Sequence, residues 1–301
     1  MATIIGIDLG GTTIGLGCYT VDGVCTRSLS VPTPQPQAPE PVLDAIAAAI
    51  AELAPESPLA IGIGAPGPAD AAGRIALIGI NLPGWQQVPV ADGLEARTGL
   101  PTAVANDANC AALGEAWLGA GRGLQDFILL TLGTGVGGGI ILNGQLFVGH
   151  GGMAGELGHV TLYPDGPRCN SGNRGSLEQY LAIQAVQRRT GKDPAELGKL
   201  AAAGDKAALQ FWQDYGRDLG IGLASLTVIL TPQAIVIGGG IAASAAYFFP
   251  AAWAELKDRV PLAEPLGLKL VRAELGTQAG MAGAARLAWQ RFGDRATGSA
   301  P

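Results

Sequence analysis

Apolar positions in the first half of the chain come in short runs cut by glycine, a pattern that predicts strands. Residues 3–9 form a β-rich run that ends in Asp8-Leu9-Gly10-Gly11-Thr12-Thr13. A second run, 14–21, stops at Asp22-Gly23, a hairpin signal, and 24–31 follows as a third strand. A Pro-rich connector over 32–41 leads into an Ala-rich helix at about 42–53. Residues 59–64 read as a strand closed by Pro66-Gly67-Pro68, and 101–105 as another. The plan then recurs. Over 127–146 an apolar run ends at Leu132-Gly133-Thr134-Gly135, and a second run ends at Asn143-Gly144. Strand, Gly/Thr turn, strand and Asx-Gly hairpin thus occur twice, a weak internal repeat.

The second half changes period and becomes mostly helical. Residues 176–189 begin with Ser176 and carry Gln179 three positions on, a capping-box pattern. Further helices are expected over 194–203, 205–230 and 281–292, with a buried strand at 234–237 running into Gly238-Gly239-Gly240. The stretch 294–301 is expected to fray.

Composition narrows the classes. Of 301 residues 48% are hydrophobic and 15% charged, enough for a sizeable core in two domains and too apolar for disorder. The 47 glycines, about twice ordinary usage, are aperiodic, so they suggest tight turns and close approach of backbone to something bound. Net charge is -6 with scattered Lys and Arg, which argues against a nucleic-acid partner. No basic n-region precedes the first strand, so no signal peptide is expected. Residues 219–254 carry no charge, but Pro232 and the glycine triplet cut that run into pieces, which favours a buried core over a membrane span. Cys18, Cys25, Cys110 and Cys169 show no CxxC spacing and fit free thiols in a reducing cytoplasm.

Candidate chemistry lies at the turns. Two Gly/Thr turns would offer backbone N–H groups and hydroxyls to phosphate oxygens without a Cβ in the way; each alone reads more readily as an ordinary hairpin, and the pair, with the Asp at the first turn, favours the phosphate reading. Asp107 in Asn106-Asp107-Ala108-Asn109 lies between a strand and a helix. It reads as an N-cap, as a carboxylate presented at a strand's C-terminal end where α/β sheets bind ligands, or as both. Glu156 and His159 are three apart, but no second Glu-x-x-His exists to complete a di-iron site, and the surrounding glycines disfavour a long helix. Glu, His and Asn together suit a ligand rich in hydroxyls.

In order and spacing, Asp8-Leu9-Gly10-Gly11-Thr12, Asn81-Leu82-Pro83-Gly84-Trp85, Asn106-Asp107, Leu132 through Gly139 and Ala154-Gly155-Glu156-Leu157-Gly158-His159 resemble the motif series of the ROK family of repressors, open-reading-frame proteins and sugar kinases. The resemblance covers nearly the whole chain. It implies an α/β fold of two actin-like (ribonuclease H-like) domains with central mixed sheets around a cleft. The domains are expected at 1–118 and 119–301, with the last helix able to pack back onto the first. Asp8, Gly10, Gly11, Thr12, Thr13, Gly133, Thr134 and Gly135 would hold ATP phosphates, Gly238 and Gly239 would lie near adenosine, and Asp8 would place magnesium. Asn81, Asn106, Asp107, Glu156, His159 and Glu178 would contact a sugar, with Asp107 the catalytic base toward its 6-hydroxyl. The nearest members in motif set are glucokinases, which implies a cytoplasmic, glycolytic ATP-dependent kinase forming a dimer or tetramer. N-acetylmannosamine, mannose, fructose and allose remain as other substrates.

Two departures matter. Members typically carry a CxCGxxGC loop whose three cysteines join the motif histidine on a structural zinc. Here the register reads Cys169, Ser171 and Ser176, so no structural zinc is expected, and hydrogen bonds from Asn170, Ser171, Asn173 and a Ser176 cap are expected to hold the loop. Thr13 stands where many members have Lys, which opens polyphosphate as a donor beside ATP. A sugar-responsive repressor would need a helix-turn-helix domain ahead of Asp8, where only seven residues stand. A sugar-binding regulatory protein with weak catalysis is the remaining alternative.

Overall fold

The computed structural model describes residues 2–53, 58–79 and 82–293; Asn81 and the stretch 294–301 lie outside them. The chain divides into two compact units, one of residues 1–123, 146–154 and 277–301, the other of 124–145 and 155–276.

The first unit opens with β1 (Thr3–Leu9), β2 (Thr13–Thr20) and β3 (Cys25–Pro32), an antiparallel meander. Gly23, at φ +83°, makes the turn between the last two. Then come α1 (Pro39–Leu53), β4 (Ile61–Ala65), the small hairpin β5 (Ala76–Ile78) and β6 (Gln86–Val88), α2 (Val90–Thr98), β7 (Thr102–Asn106) and α3 (Asp107–Leu118). The sheet order is β3-β2-β1-β4-β7, with β1, β4 and β7 parallel. Ile5, Ile7, Ile61, Ile63 and Val104 bury against Val42, Ile46 and Leu94 of the first two helices.

The second unit repeats this order. Its elements are β8 (Phe127–Leu132), β9 (Val136–Leu142), β10 (Gln145–Leu146), α4 (Glu178–Leu181), α5 (Ile183–Thr190), α6 (Pro194–Ala202), α7 (Lys206–Leu230), β11 (Ala234–Gly238), α8 (Ala245–Arg259) and β12 (Lys269–Arg272). The sheet runs β10-β9-β8-β11-β12, with β8 antiparallel to β9 and parallel to β11. The repeat seen in the sequence is therefore a repeat of topology. Asn143 and Gly144 both take positive φ, 52° and 72°, as a two-residue hairpin of matching twist requires. Trp212, Tyr215 and Phe248 meet edge-on and tilted in the core that joins α7 to α8. This core accounts for much of the uncharged run. Among the described residues no helix is long and apolar enough to cross a membrane.

The expected single helix over 176–189 is two. Ala182 takes extended backbone (φ −74°, ψ 163°) and separates α4 from α5, and Ser176 caps neither, because α4 begins after Leu177.

The last helix, α9 (Ala279–Phe292), belongs to the first unit. It lies directly on glycine backbone. A Cβ on Gly6 would sit 2.0 Å from the carbonyl oxygen of Met281, one on Gly62 1.8 Å from that of Ala284, and one on Gly283 1.5 Å from that of Cys110. Gly6, Gly62 and Gly283 thus serve helix packing, where the sequence had suggested approach to a bound molecule.

Candidate active site

In the first unit the parallel strands end at one edge. Asp8 is in register with Gly64, Gly64 with Ala105, and Ala65 with Asn106. This is the edge at which α/β sheets carry ligand sites. Asn106, in extended backbone, is the N-cap of α3. Its Oδ1 accepts from the N–H groups of Ala108 at 2.9 Å and Asn109 at 3.1 Å, and its Nδ2 donates to the carbonyl of Gly67 at 3.1 Å. Asp107 is therefore the first residue of the helix and not its cap; its Oδ1 accepts from Ala108 N–H at 2.8 Å. Asn106 takes the capping duty, and the Asp107 carboxylate stands in the first turn, where the helix N-terminus favours negative charge.

Burial, with the charge of Asp107 adding to it, pushes the Asp8 carboxyl up to about 6. Two carboxylates held together and partly desolvated are a ready seat for a divalent cation, which would relieve both costs. The N-terminus of α9 backs Asp8 so closely that a Cβ on Gly280 would lie 2.7 Å from its carboxyl group. Beneath them the Cys110 thiol is buried and pushed well up, by desolvation first and then by Asp8 and Asp107.

The turn after β1 has every carbonyl engaged by the protein. Gly10 O accepts from Thr33 Oγ1 at 2.7 Å, Gly11 O from Gln37 Nε2 at 3.0 Å, Thr12 O from Thr33 N–H at 2.9 Å and Thr13 O from Gly10 N–H at 2.9 Å. Nothing lies within 4 Å of a Cβ built on Gly11, and Thr12 and Thr13 are exposed. An anion approaching this turn meets backbone and hydroxyl donors, with the carbonyls already turned back into the protein. Thr33 and Gln37, on the Pro-rich connector, were not legible as site residues, because only the folded chain brings them to the turn.

In the second unit the matching turn, Gly133-Thr134-Gly135, closes with Gly133 N–H donating to Gly135 O at 3.0 Å. Thr134 is exposed. Gly238, at the end of β11, is in register with Thr131. Gly239, at φ +82°, passes so near β8 that a Cβ there would lie 2.3 Å from Leu132 O. Gly133, Gly135, Gly238 and Gly239 thus share one sheet edge.

Glu156 precedes a single 3-10 turn, Leu157–His159, which His159 ends, with His159 Nε2 3.6 Å from Glu156 Oε2. Burial raises the Glu156 carboxyl, His159 opposes the rise and Glu178 adds to it. Glu178 does more than join this cluster. Its Oε2 accepts from Val136 N–H at 3.0 Å, and a Cβ on Gly135 would lie 2.6 Å from that same oxygen. Asn81 lies outside the described residues.

The ROK family profile matches residues 4–291. The chain belongs to the ROK family. It is 35% identical to the glucokinase of Thermotoga maritima, over 96% of this chain and 98% of that one. The ROK hexokinase structure from Thermus thermophilus superposes with a TM-score of 0.87 at 38% identity, covering 97% of this chain and 99% of that one. A ROK family glucokinase from Streptomyces griseus, in complex with glucose and AMPPNP, gives a TM-score of 0.82 at 34% identity, covering 96% and 100%. These ROK family structures share the actin-like sugar-kinase fold that the two matching sheets form here.

The loop at 167–176 does not fit the zinc that the ROK motif implies. Cys169 keeps company with Ser171 and Ser176, and neutral hydroxyls are poor substitutes for thiolates in a closed tetrahedral site. Among the described residues no group of three or more His, Cys, Asp or Glu is arranged to hold a metal. Burial raises the Cys169 thiol, but the neighbouring Ser171 and Ser176 outweigh it and leave the thiol below its ordinary value. Its sulfur lies 3.8 Å from Glu178 Oε1.

Proposed function

We propose that this ROK family protein is an ATP-dependent hexose kinase of the glucokinase type, transferring the γ-phosphate of ATP to the 6-hydroxyl of glucose. The observation that carries the reading is the Asn106-Asp107 corner. There Asn106 takes over the helix cap, and the Asp107 carboxylate stands beside Asp8 at the strand ends. Full-length similarity to glucokinases supports the substrate class.

In this reading Asp107 accepts the hydrogen bond of the sugar's 6-hydroxyl and takes its proton late. The hydroxyl oxygen forms its bond to the γ-phosphorus while the bond from that phosphorus to the β,γ-bridging oxygen breaks, and ADP leaves. Phosphoryl transfer passes through a loose transition state, so orientation matters more than the strength of the base. Asp8 is the carboxylate that would hold magnesium, which when bound neutralises charge on the β- and γ-phosphates. The turns at Gly10-Gly11-Thr12-Thr13 and Gly133-Thr134-Gly135 present N–H groups and hydroxyls to the phosphates, with Gly238 and Gly239 at adenosine. Asn81, Asn106, Glu156, His159 and Glu178 contact the sugar hydroxyls. Four free cysteines accord with a cytoplasmic protein, and we propose a homo-oligomer acting in glycolysis.

The test is ADP release with magnesium-ATP and a panel of sugars. Turnover on N-acetylmannosamine, mannose or fructose in place of glucose would keep the chemistry and correct the substrate. Turnover with polyphosphate and not ATP would correct the donor.

A further inference from the structure

We infer that Asn173 is a positioning residue for the sugar side, pinning the His159 segment by hydrogen bonds in a loop that needs no metal. Asn173 Nδ2 donates to the main-chain carbonyl of His159 at 2.8 Å and to Thr161 Oγ1 at 3.0 Å. The other half of its amide faces the loop itself, with Oδ1 accepting from Arg174 N–H at 2.7 Å. Its own carbonyl accepts from Cys169 N–H at 2.8 Å, closing the tight turn that Gly172 N–H makes to Cys169 O at 3.0 Å. Asn173 thus closes the loop through its main-chain carbonyl, and its side chain fastens the loop to the main chain of His159 and to Thr161.

Of the four residues expected to hold the loop, Asn173 carries this load. Asn170 is exposed, Ser171 and Ser176 act on the Cys169 thiol, and among the described residues neither serine side chain bonds the His159 segment. A planar amide suits the task because it offers two donors and an acceptor in fixed geometry, so it can bridge two segments as a bound ion would. The loop has a second anchor at its start. Tyr163 donates to Asp218 Oδ1 at 2.9 Å, and Arg189 to Oδ2 at 2.9 Å. That anchor fixes the loop to α7 but does not reach His159.

The inference rests on His159 as a sugar ligand, and its test is chosen to separate the two. Asn173→Asp keeps the shape and the Oδ1 acceptor but points an oxygen at the His159 carbonyl. The expected result is a sugar KM raised about tenfold, with the ATP KM and kcat within about twofold. Hydrogen exchange over residues 157–163 is expected to quicken in the same variant. Thr161→Val, which removes the hydroxyl that pairs with the Asn173 amide but leaves the bond to the His159 carbonyl, should shift both readouts the same way by less. The wild-type protein, purified without added metal, should hold no zinc and keep its activity in 1,10-phenanthroline with excess magnesium. Unchanged exchange and sugar KM in Asn173→Asp would overturn the inference, as would one zinc per chain whose removal loosens the same segment. If the wild type turns over no hexose, the kinase reading fails while the exchange and zinc measurements still decide the role of Asn173.

Discussion

Glu178 accepts the N–H of Val136 at 3.0 Å through Oε2, and so a carboxylate assigned to the sugar also holds the end of a Gly/Thr turn assigned to phosphate. The same oxygen occupies the space a Gly135 side chain would need. Loss of this charge-assisted bond frees the turn as well as the sugar contact. Glu178→Ala is expected to raise the KM for both glucose and ATP, each by about tenfold or more. Glu156→Ala should raise the glucose KM alone. Initial-rate kinetics with each substrate varied in turn checks the contrast.

Asp8 is held against its own charge. Its carboxyl rises from 3.8 to about 6, by burial and then by Asp107. The folded state binds that proton more tightly than the unfolded state. The favourable contribution is therefore present in full below about pH 4 and lost as pH climbs through about 6, leaving a cost of about 3 kcal/mol in the neutral range. Ligand-free Asp8→Asn should be more stable than the wild type by up to about this amount at pH 7.5, with the gap closing toward pH 4, while losing activity. Urea unfolding at the two pH values measures it.

Two glycines of α9 should respond in opposite ways to a methyl group. At Gly280 the three atoms nearest the new Cβ all belong to the Asp8 side chain, the nearest at 2.7 Å, and a side chain can move. Gly280→Ala should stay folded but lose affinity for magnesium-ATP by about tenfold, because Asp8 is displaced. At Gly283 the Cβ would lie 1.5 Å from the backbone oxygen of Cys110, which cannot yield without parting α3 from α9. Gly283→Ala should cost about 3 kcal/mol or more. Thermal melts and ATP titrations separate the pair.

The anchor at Asp218 is mostly buried, with Tyr163 and Arg189 both donating to it. Tyr163→Phe should cost about 1 kcal/mol, one hydrogen bond to a charged group that stays otherwise paired. Asp218→Ala removes the partner of both Tyr163 and Arg189, although Arg189 keeps the Tyr180 carbonyl and the Phe211 ring, and should cost about 2 kcal/mol. Denaturant titration of the two variants checks the order.

What the sequence disclosed follows from how local each signal is. The Asn143-Gly144 hairpin, the duplicated strand-turn-strand plan and the long helix expected over 205–230 need only neighbouring residues, and each is where its pattern puts it. The break at Ala182 was not legible. Ser176 and Gln179 look like a capping box, yet the chain turns at Ala182 so that Ile183 N–H can donate to Gly133 O at 2.9 Å, a tertiary bond. Asp107 could be read as a cap because a cap assignment one residue out looks the same in sequence. Gly6, Gly62 and Gly283 share their composition with the glycines of the phosphate turns, and only the placement of α9 tells packing from binding. Thr33 and Gln37 had no pattern to betray them, because the turn carbonyls they hold lie 23 and 26 residues away in the chain. Asn173 was expected to hold its loop, but its bond to the His159 carbonyl, 14 residues away, was not legible.

The most direct test is a coupled ADP-release assay with magnesium-ATP and glucose, run on the wild type and on Asp107→Ala. The expected result is turnover on glucose in the wild type, with kcat down by about a thousandfold in the variant and the ATP KM within about twofold. Equal rates in the two proteins, or silence of the wild type on every hexose with either ATP or polyphosphate, would contradict the assignment of Asp107 as the group that orients and deprotonates the sugar.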